Sequence, residues 1–452
     1  MLWGSYKRSS IKILISGIIF FCCLAVGLVA LYQFTSVQTK TVNFLASRLG
    51  EKIGMPIKAG SVYINWRGGI VLKDVLVLDQ SADTLISAGK IEMLFSPLSF
   101  FSKNQILLNK VRIDHGNVCV VRHKPGEDFN ISIFVKRLRS LSRSSGTKSK
   151  GRKFKILDAD IKNSSFKYSD PFKDSITDKF NYNQFRLVKI DAGIKDLQVF
   201  DGNFFVTINQ LTCQDSATLI PIREFQCNYG ITDTLMSFYD LSLTTDKSQI
   251  NTNFGFKYAS SNDLSSFNDK VTIEADVNKS TVNPQDLGYF ASYFKKIKSE
   301  YVINGKFKGQ ISNFDVHDFT IKFGNLTRVT GNLYIKGLPD VKNSFIDLKV
   351  KNSFFDPEDL RELFPNNVIQ TGRKFGNSSF IGRFTGFTDD FVANASFFTQ
   401  IGNLECDINF KLSEKENTAK YSGKLQTEKL NLGVLLDNQN LLQEMDIRGD
   451  IE

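Results

Sequence analysis

Leu404–Leu412 reads LECDINFKL. Leu404, Cys406, Ile408, Phe410 and Leu412 take every second position, with Glu405, Asp407, Asn409 and Lys411 between them. Successive side chains of a strand point to opposite faces, so this stretch makes one apolar face and one polar face. A helix would scatter both sets around its circumference. The same alternation recurs through Ile321/Phe323, Leu333/Ile335 and Leu348/Val350. It also runs through Val62, Ile64 and Trp66, then GIVLKDVLVLDQ (Gly69–Gln80), TLISAGKIEMLF (Thr84–Phe95) and ILLNKVRIDHGNVCVVRH (Ile106–His123). Gly, Asp and Asn turns divide these runs. Phe154–Phe256 continues as alternating segments such as FKILDADIKNSSFKYSD (Phe154–Asp170), none of them long and apolar enough for a buried parallel strand flanked by helices, so antiparallel β is predicted.

The last two hundred residues repeat. VNKSTVNPQDL (Val277–Leu287) returns as VKNSFFDPEDL (Val350–Leu360), a step of 73 residues, with LQTEKLNLGVLL (Leu425–Leu436) as a looser third copy. NGKFKGQISNF (Asn304–Phe314) returns as IGRFTGFTDDF (Ile381–Phe391), offset by 77. Helical turns are expected after each marker, at Gly288–Lys295, Arg361–Phe364 and Asp437–Met445. Such a period means stacked units that complete their cores against neighbours. IRGDIE (Ile447–Glu452) has the pattern of a further unit beginning, which predicts the N-terminal part of a longer protein or of a split gene.

Upstream of the strands, no charged residue occurs between Lys12 and Lys40. Ile13–Phe34 (ILISGIIFFCCLAVGLVALYQF) is long enough for the ~30 Å hydrocarbon core of a bilayer. Ile13, Leu14, Ile18, Phe20, Leu24, Leu28 and Leu31 would form its apolar body. Lys7, Arg8 and Lys12 precede it, which orients the N-terminus toward the cytoplasm. A retained anchor and a cleaved signal, the latter cut near Ala25-Val26-Gly27, both export the remainder. Ser36–Ile53 follows, with Val42, Leu45, Leu49 and Ile53 at helical spacing; Gly54 and Pro56 end it. This predicts a short amphipathic helix just outside the membrane. A second short helix is expected near Leu98–Phe101, and a third at Asn130–Leu138.

Of 452 residues, 40 are Phe and nine are Pro, which fits either an AT-rich genome or an extended Phe-lined surface. Almost the whole net charge of +10 resides in one segment: nine Lys and Arg lie from Lys136 to Lys155 with no acid among them. Interleaved serines and glycines make it a flexible linker, in reach of anionic lipid heads, and the lack of aromatics within residues 140–153 argues against a nucleic-acid site. Cys119, Cys213, Cys227 and Cys406 form no metal-ligand spacing, and His115, His123 and His317 are scattered. Cys213 and Cys227 are either a hairpin disulfide or buried thiols. No nucleophile–base spacing, phosphate loop or dinucleotide turn occurs, so neither an enzyme nor a cofactor is expected.

GMPIKAGSVYINWRGGIVLKDVLVLDQSADTLISAGKIEMLFSPLSFF and KVRIDHGNVCVVRHKPGEDFNISIFV resemble the N-terminal module of TamB/AsmA-like proteins, the translocation and assembly module family, in its Bacteroidota form. The positions that carry the resemblance are Leu49-Gly50, Ser61-Val62, Leu72–Asp79 and Asp83-Thr84-Leu85. LSLTTDKSQI (Leu241–Ile250) resembles that family's recurring phrase. The resemblance implies an elongated sheet curled into an open groove, lined here by Ile321, Phe323, Leu333, Ile335, Leu348, Val350, Leu404, Ile408, Phe410 and Leu412. From the residues alone, a closed barrel or a sandwich uses the same alternation.

The resemblance further implies an inner-membrane-anchored periplasmic bridge serving outer-membrane biogenesis, with an Omp85-type partner and phospholipid or unfolded barrel protein as cargo. The competing expectation is an exported β-sandwich adhesin. The chain divides on this reading into a cytoplasmic tail (1–12), a transmembrane helix (13–34), a helix-plus-strand module (35–139), a basic linker (140–153), a sheet continuation (154–276), repeat units (277–349 and 350–424) and the start of another (425–452).

Overall fold

Period-two alternation becomes strand almost throughout the computed structural model, which describes residues 34–64, 69–96, 105–143, 153–176, 180–290, 292–413 and 418–451. The expected membrane span, Trp66, the expected helix near Leu98–Phe101 and most of the basic linker lie outside these residues. Among the described residues no helix is long and apolar enough to cross a membrane. Twenty strands belong to one mixed sheet, and two short ones form a separate pair. The chain divides into two compact units, the first comprising Met1–Ile176, Asn181–Asp201 and Thr212–Leu219 and the second the remainder.

The first unit holds β1 (Ile57–Ile64), β2 (Gly69–Leu78), β3 (Thr84–Phe95), β4 (Gln105–Val121), β5 (Lys153–Ser169) and β6 (Gln184–Phe200); β7 (Asn203–Asp215) contributes to both units. Its core gathers Leu108, Val111 and Ala159 with Met93, Phe95, Ile156 and Ile194. One pairing departs from expectation, because β4 and β5 run parallel. A parallel pair needs a crossover that returns the chain to the same end of the sheet. That crossover contains the helix Asn130–Arg143, so the basic segment joins two strands of one unit instead of separating modules. Ser140–Arg143, read as linker, is helical.

The helix Thr35–Ile53 stops at Gly54, whose left-handed conformation (φ 62°) closes the last turn as the sequence suggested. The stripe of Val42, Leu45, Leu49 and Ile53 is divided between the packed and outward sides. Gln38, Gly50 and Ile53 are buried and Val42 and Ala46 half-buried, while Leu45 and Leu49 are exposed. The reason lies at the edge of β1. Gln38 Oε1 accepts from Ile64 N–H at 2.8 Å and its Nε2 donates to Ile64 O at 2.9 Å. Asn43 makes the same reciprocal pair with Ala59 at 2.9 and 2.7 Å, and Thr39 Oγ1 accepts from Val62 N–H at 2.8 Å. Side-chain amides thus stand in for a missing strand and close an edge that would otherwise pair with another chain.

The second unit contains β8 (Pro221–Ile231), β9 (Leu235–Thr244), β10 (Gln249–Lys257), β11 (Thr272–Val282), β12 (Tyr301–Gln310), β13 (Asn313–Phe323), β14 (Thr327–Lys336), β15 (Phe345–Phe355), β16 (Ser378–Gly386), β17 (Asp390–Thr399), β18 (Gly402–Ser413), β19 (Thr418–Glu428), β20 (Leu430–Asn431), β21 (Glu444–Met445) and β22 (Arg448–Ile451). From β8 to β19 each strand pairs antiparallel with its successor. A 3-10 helix at Ser292–Lys296 overlaps the turn expected at Gly288–Lys295, and further helical turns begin earlier, at Pro284 and Pro357, where Asn283 and Asp356 cap them and proline's fixed φ suits the first helical position. A ten-residue helix, Asn366–Phe375, follows the second. Asp437–Met445, expected to be helical, instead contains β21, and its helical turn is Leu432–Leu435.

Bulges interrupt the ladders between β8 and β16. At Asp240, Lys279 and Asp318 the backbone takes positive φ (51°, 38° and 48°). Each bulge N–H is then taken by an asparagine of the next strand: Asn253, Asn304 and Asn332, at 2.6, 2.6 and 2.8 Å. Asn163 and Asp191 repeat the device in the first unit at 2.8 Å. Bulges sharpen the twist and bend of a sheet.

Candidate functional site

Directly paired residues of antiparallel strands share a face, so the register maps the apolar surface residue by residue. One row in the second unit runs Tyr229, Phe238, Phe254, Ala275, Phe307, Val316, Leu333, Leu348, Phe384, Ala393, Ile408, Gly423 and Ile451. It crosses thirteen strands, β8 to β19 and then β22, without a charged or amide side chain. The next row runs Ile231, Met236, Phe256, Ile273, Gly309, Phe314, Ile335, Ile346, Gly386, Phe391, Phe410 and Tyr421. At ~4.8 Å per strand, the first row measures roughly 58 Å along the sheet.

The register puts Leu333, Ile335, Leu348, Val350, Leu404, Ile408, Phe410 and Leu412 on this face, and the bulge in β13 restores Ile321 and Phe323 to it. A bulge places two consecutive residues on one side, here His317 and Asp318 outward, so Phe319 returns inward opposite Gly331. Sequence reading assigned these ten residues to one face by alternation and passed over most of the aromatic ones between them. Phe238 stacks on Phe254 at 4.4 Å, Phe307 meets Phe314 at 4.6 Å, and Phe391 lies between Phe384 (4.7 Å) and Phe410 (5.0 Å). Such pairs add about 0.5–1.5 kcal/mol each beyond area burial. Many of the phenylalanines thus serve this surface.

Burial distinguishes the two sides. On β18, Leu404, Cys406, Ile408 and Phe410 are half-buried, and Glu405, Asp407, Asn409 and Lys411 are exposed. A strand facing a second sheet would bury its apolar set fully. Among the described residues the one other sheet is the two-residue pair β20–β21. The polar side carries cross-strand ion pairs: Arg383 grips Asp347 with Nε at 2.8 Å and Nη2 at 2.6 Å, and Lys411 reaches Asp390 at 2.8 Å. Beside the apolar face, under the helix Asn366–Phe375, lies a cavity of about 230 Å³ lined by Phe355, Gly372, Phe375, Ser378, Phe397, Thr399 and Leu404. It exceeds the ~150 Å³ of an apolar cavity that stays dry and binds benzene.

The repeat markers hold hairpins in place. Asp359, buried after Pro357, accepts from the N–H groups of Asn325, Leu326 and Thr327 at 2.8, 3.0 and 2.9 Å and from the Thr327 hydroxyl at 2.9 Å. Burial works against its ionised form, but these donors outweigh it and keep the carboxyl below its ordinary pKa. Gly324 sits in the left-handed region (φ 63°), and a Cβ there would collide with the Asp359 carboxyl. Asp286 occupies the same place one repeat earlier, accepting from Thr245 and Ser248 hydroxyls at 2.6 Å. Thr245 and Ser248 belong to the LSLTTDKSQI phrase, and Thr327 to the sequon Asn325-Leu326-Thr327.

In the first unit Asp79 fulfils a similar role. Its Oδ1 accepts from Ser81 and Asp83 N–H, and its Oδ2 from Asn130 Nδ2 at 2.9 Å and His123 Nε2 at 2.6 Å. Burial disfavours its charge, and the hydrogen bonds of Asn130, His123 and the turn still lower its pKa. Asp79, Asp83 and His123 are close enough together to hold a metal ion. Both Asp79 oxygens are already committed to donors, which fits a clasp between turn and helix better than a ligand set. Cys213 and Cys227 are buried free thiols, not a hairpin disulfide. Burial pushes both up to about 11.

No family model, curated protein or solved structure matches this chain.

Proposed function

We propose that this chain is a non-enzymatic, inner-membrane-anchored periplasmic bridge for outer-membrane biogenesis, whose apolar sheet face conducts phospholipid or unfolded barrel protein toward an Omp85-type partner. The uncharged row from Tyr229 to Ile451 carries this reading. An acyl chain crossing from strand to strand along it meets no carboxylate, ammonium or amide, and desolvating such a group in an apolar path costs several kcal/mol. The bulges favour the curvature that turns such a face into an open groove. The TamB/AsmA-like resemblance points the same way, as does Ile13–Phe34 as a retained anchor. A sandwich adhesin would need a second layer over this face, and the half-buried state of Leu404–Phe410 speaks against one.

A benzophenone amino acid at Ile408, in whole membranes, tests the reading: crosslinks to phospholipid or to nascent barrel protein are expected. Ile408→Asp should abolish transport at several-fold less cost in stability than a charge in a closed core, because the half-open face lets water reach the carboxylate. No crosslink, together with severe unfolding of Ile408→Asp, would falsify the conduit.

A further inference from the structure

The helix Thr35–Ile53 turns Gln38, Thr39 and Asn43 toward the protein together with Val42, Ala46 and Ile53, and leaves its other large apolar side chains on the outward side. Gln38, Thr39 and Asn43 are spent on the edge of β1. Phe34, Phe44 and Leu45 are each 60 % exposed, and Val37 and Leu49 are exposed beside them. A helix of a water-soluble domain has the reverse arrangement. The same outward side carries Lys40, Arg48 and Lys52, against a single acid, Glu51, in the whole helix. Arg48 lies over the Phe44 ring at 5.3 Å.

Rings and aliphatic side chains flanked by cations are the composition of helices that lie in the boundary between lipid headgroups and acyl chains. Where the helix starts says what covers it. The uncharged run that begins at Ile13 ends at its first turns, which would leave this face at a membrane surface. We propose that the outward face of Thr35–Ile53 docks on the anionic lipid surface of the bilayer, so that the helix joins the edge of the sheet to the membrane. This inference rests on the anchored-bridge reading and adds a second, independent contact with lipid. Phe44 and Leu45 would enter the acyl boundary, and Lys40, Arg48 and Lys52 would meet phosphates.

The test uses the full chain in nanodiscs, of phosphatidylcholine alone or with one-third phosphatidylglycerol. A benzophenone amino acid at Leu45 should crosslink to phospholipid, several-fold more in the anionic discs; one at Lys349, on the polar sheet face, should not. Lys40→Glu/Arg48→Glu/Lys52→Glu should reduce the Leu45 crosslink several-fold. Phe44→Asp should reduce it several-fold without shifting the melting temperature, since Phe44 lies on the exposed side of the helix. Crosslinks from Leu45 to residues 1–33 or to a second copy overturn the docking, as does their absence in a chain that stays with the disc. A chain that leaves the disc altogether overturns the anchored reading as well.

Discussion

Asp359 shows how one residue holds a repeat together. Removing its carboxylate leaves three backbone N–H groups of the β13–β14 turn without acceptors, and each such loss costs on the order of 1 kcal/mol or more. Asp359→Ala should therefore destabilise the second unit by about 3 kcal/mol or more in urea unfolding. The sign of the pH dependence follows from the depressed pKa. The contribution is complete above the unfolded carboxylate value near 4 and is lost as the pH falls through the lower folded value. Asp359→Ala should flatten the acid side of the stability curve; an unchanged acid slope would show that the clasp carries no charge. The marker NPQDL/DPEDL was legible as a repeat from its identical letters. The task of its aspartate was not, because its partners lie more than thirty positions away.

At the scale of elements, period two is a strong signal wherever a face is buried or half-buried, so strands such as β18 could be read directly. Bulges could not, since one inserted residue at Asp318 or Lys279 looks like an ordinary polar position. The parallel β4–β5 pair was hidden for a different reason: direction is set by the crossover, not by the strands. In the first helix the apolar spacing of Val42, Leu45, Leu49 and Ile53 predicted an amphipathic stripe, and the reciprocal amide bonds to a strand edge that leave Leu45 and Leu49 exposed could not be read from that spacing. Asn43→Ala should expose the N–H of Ala59, and Gln38→Ala that of Ile64. Hydrogen exchange is the measurement, with at least tenfold faster exchange expected at those amides and little change in β3 or β4. Uniform protection across β1 in both variants would mean that backbone packing alone seals the edge.

Over the whole molecule, the apolar face is a property of register that no single strand contains. Cys406 reports on it without an added label, standing in a row between Ala395 and Leu425 and flanked along its own strand by Leu404 and Ile408. Alkylation requires the thiolate. Burial raises the Cys406 pKa, and burial also lifts Cys213 and Cys227 to about 11. Only Cys406 of these three is half-exposed. At pH 8, peptide-resolved mass spectrometry should find N-ethylmaleimide on Cys406 well before Cys213 or Cys227. An acyl chain lying along the face covers that sulfur and lowers the local polarity, and both effects slow the reaction. Sub-micellar lysophospholipid should therefore slow Cys406 alkylation at least fivefold and leave Cys119, in the first unit, less affected. Equal rates with and without lipid would mean that acyl chains do not enter the face at β18, and the conduit would have to run elsewhere or not at all.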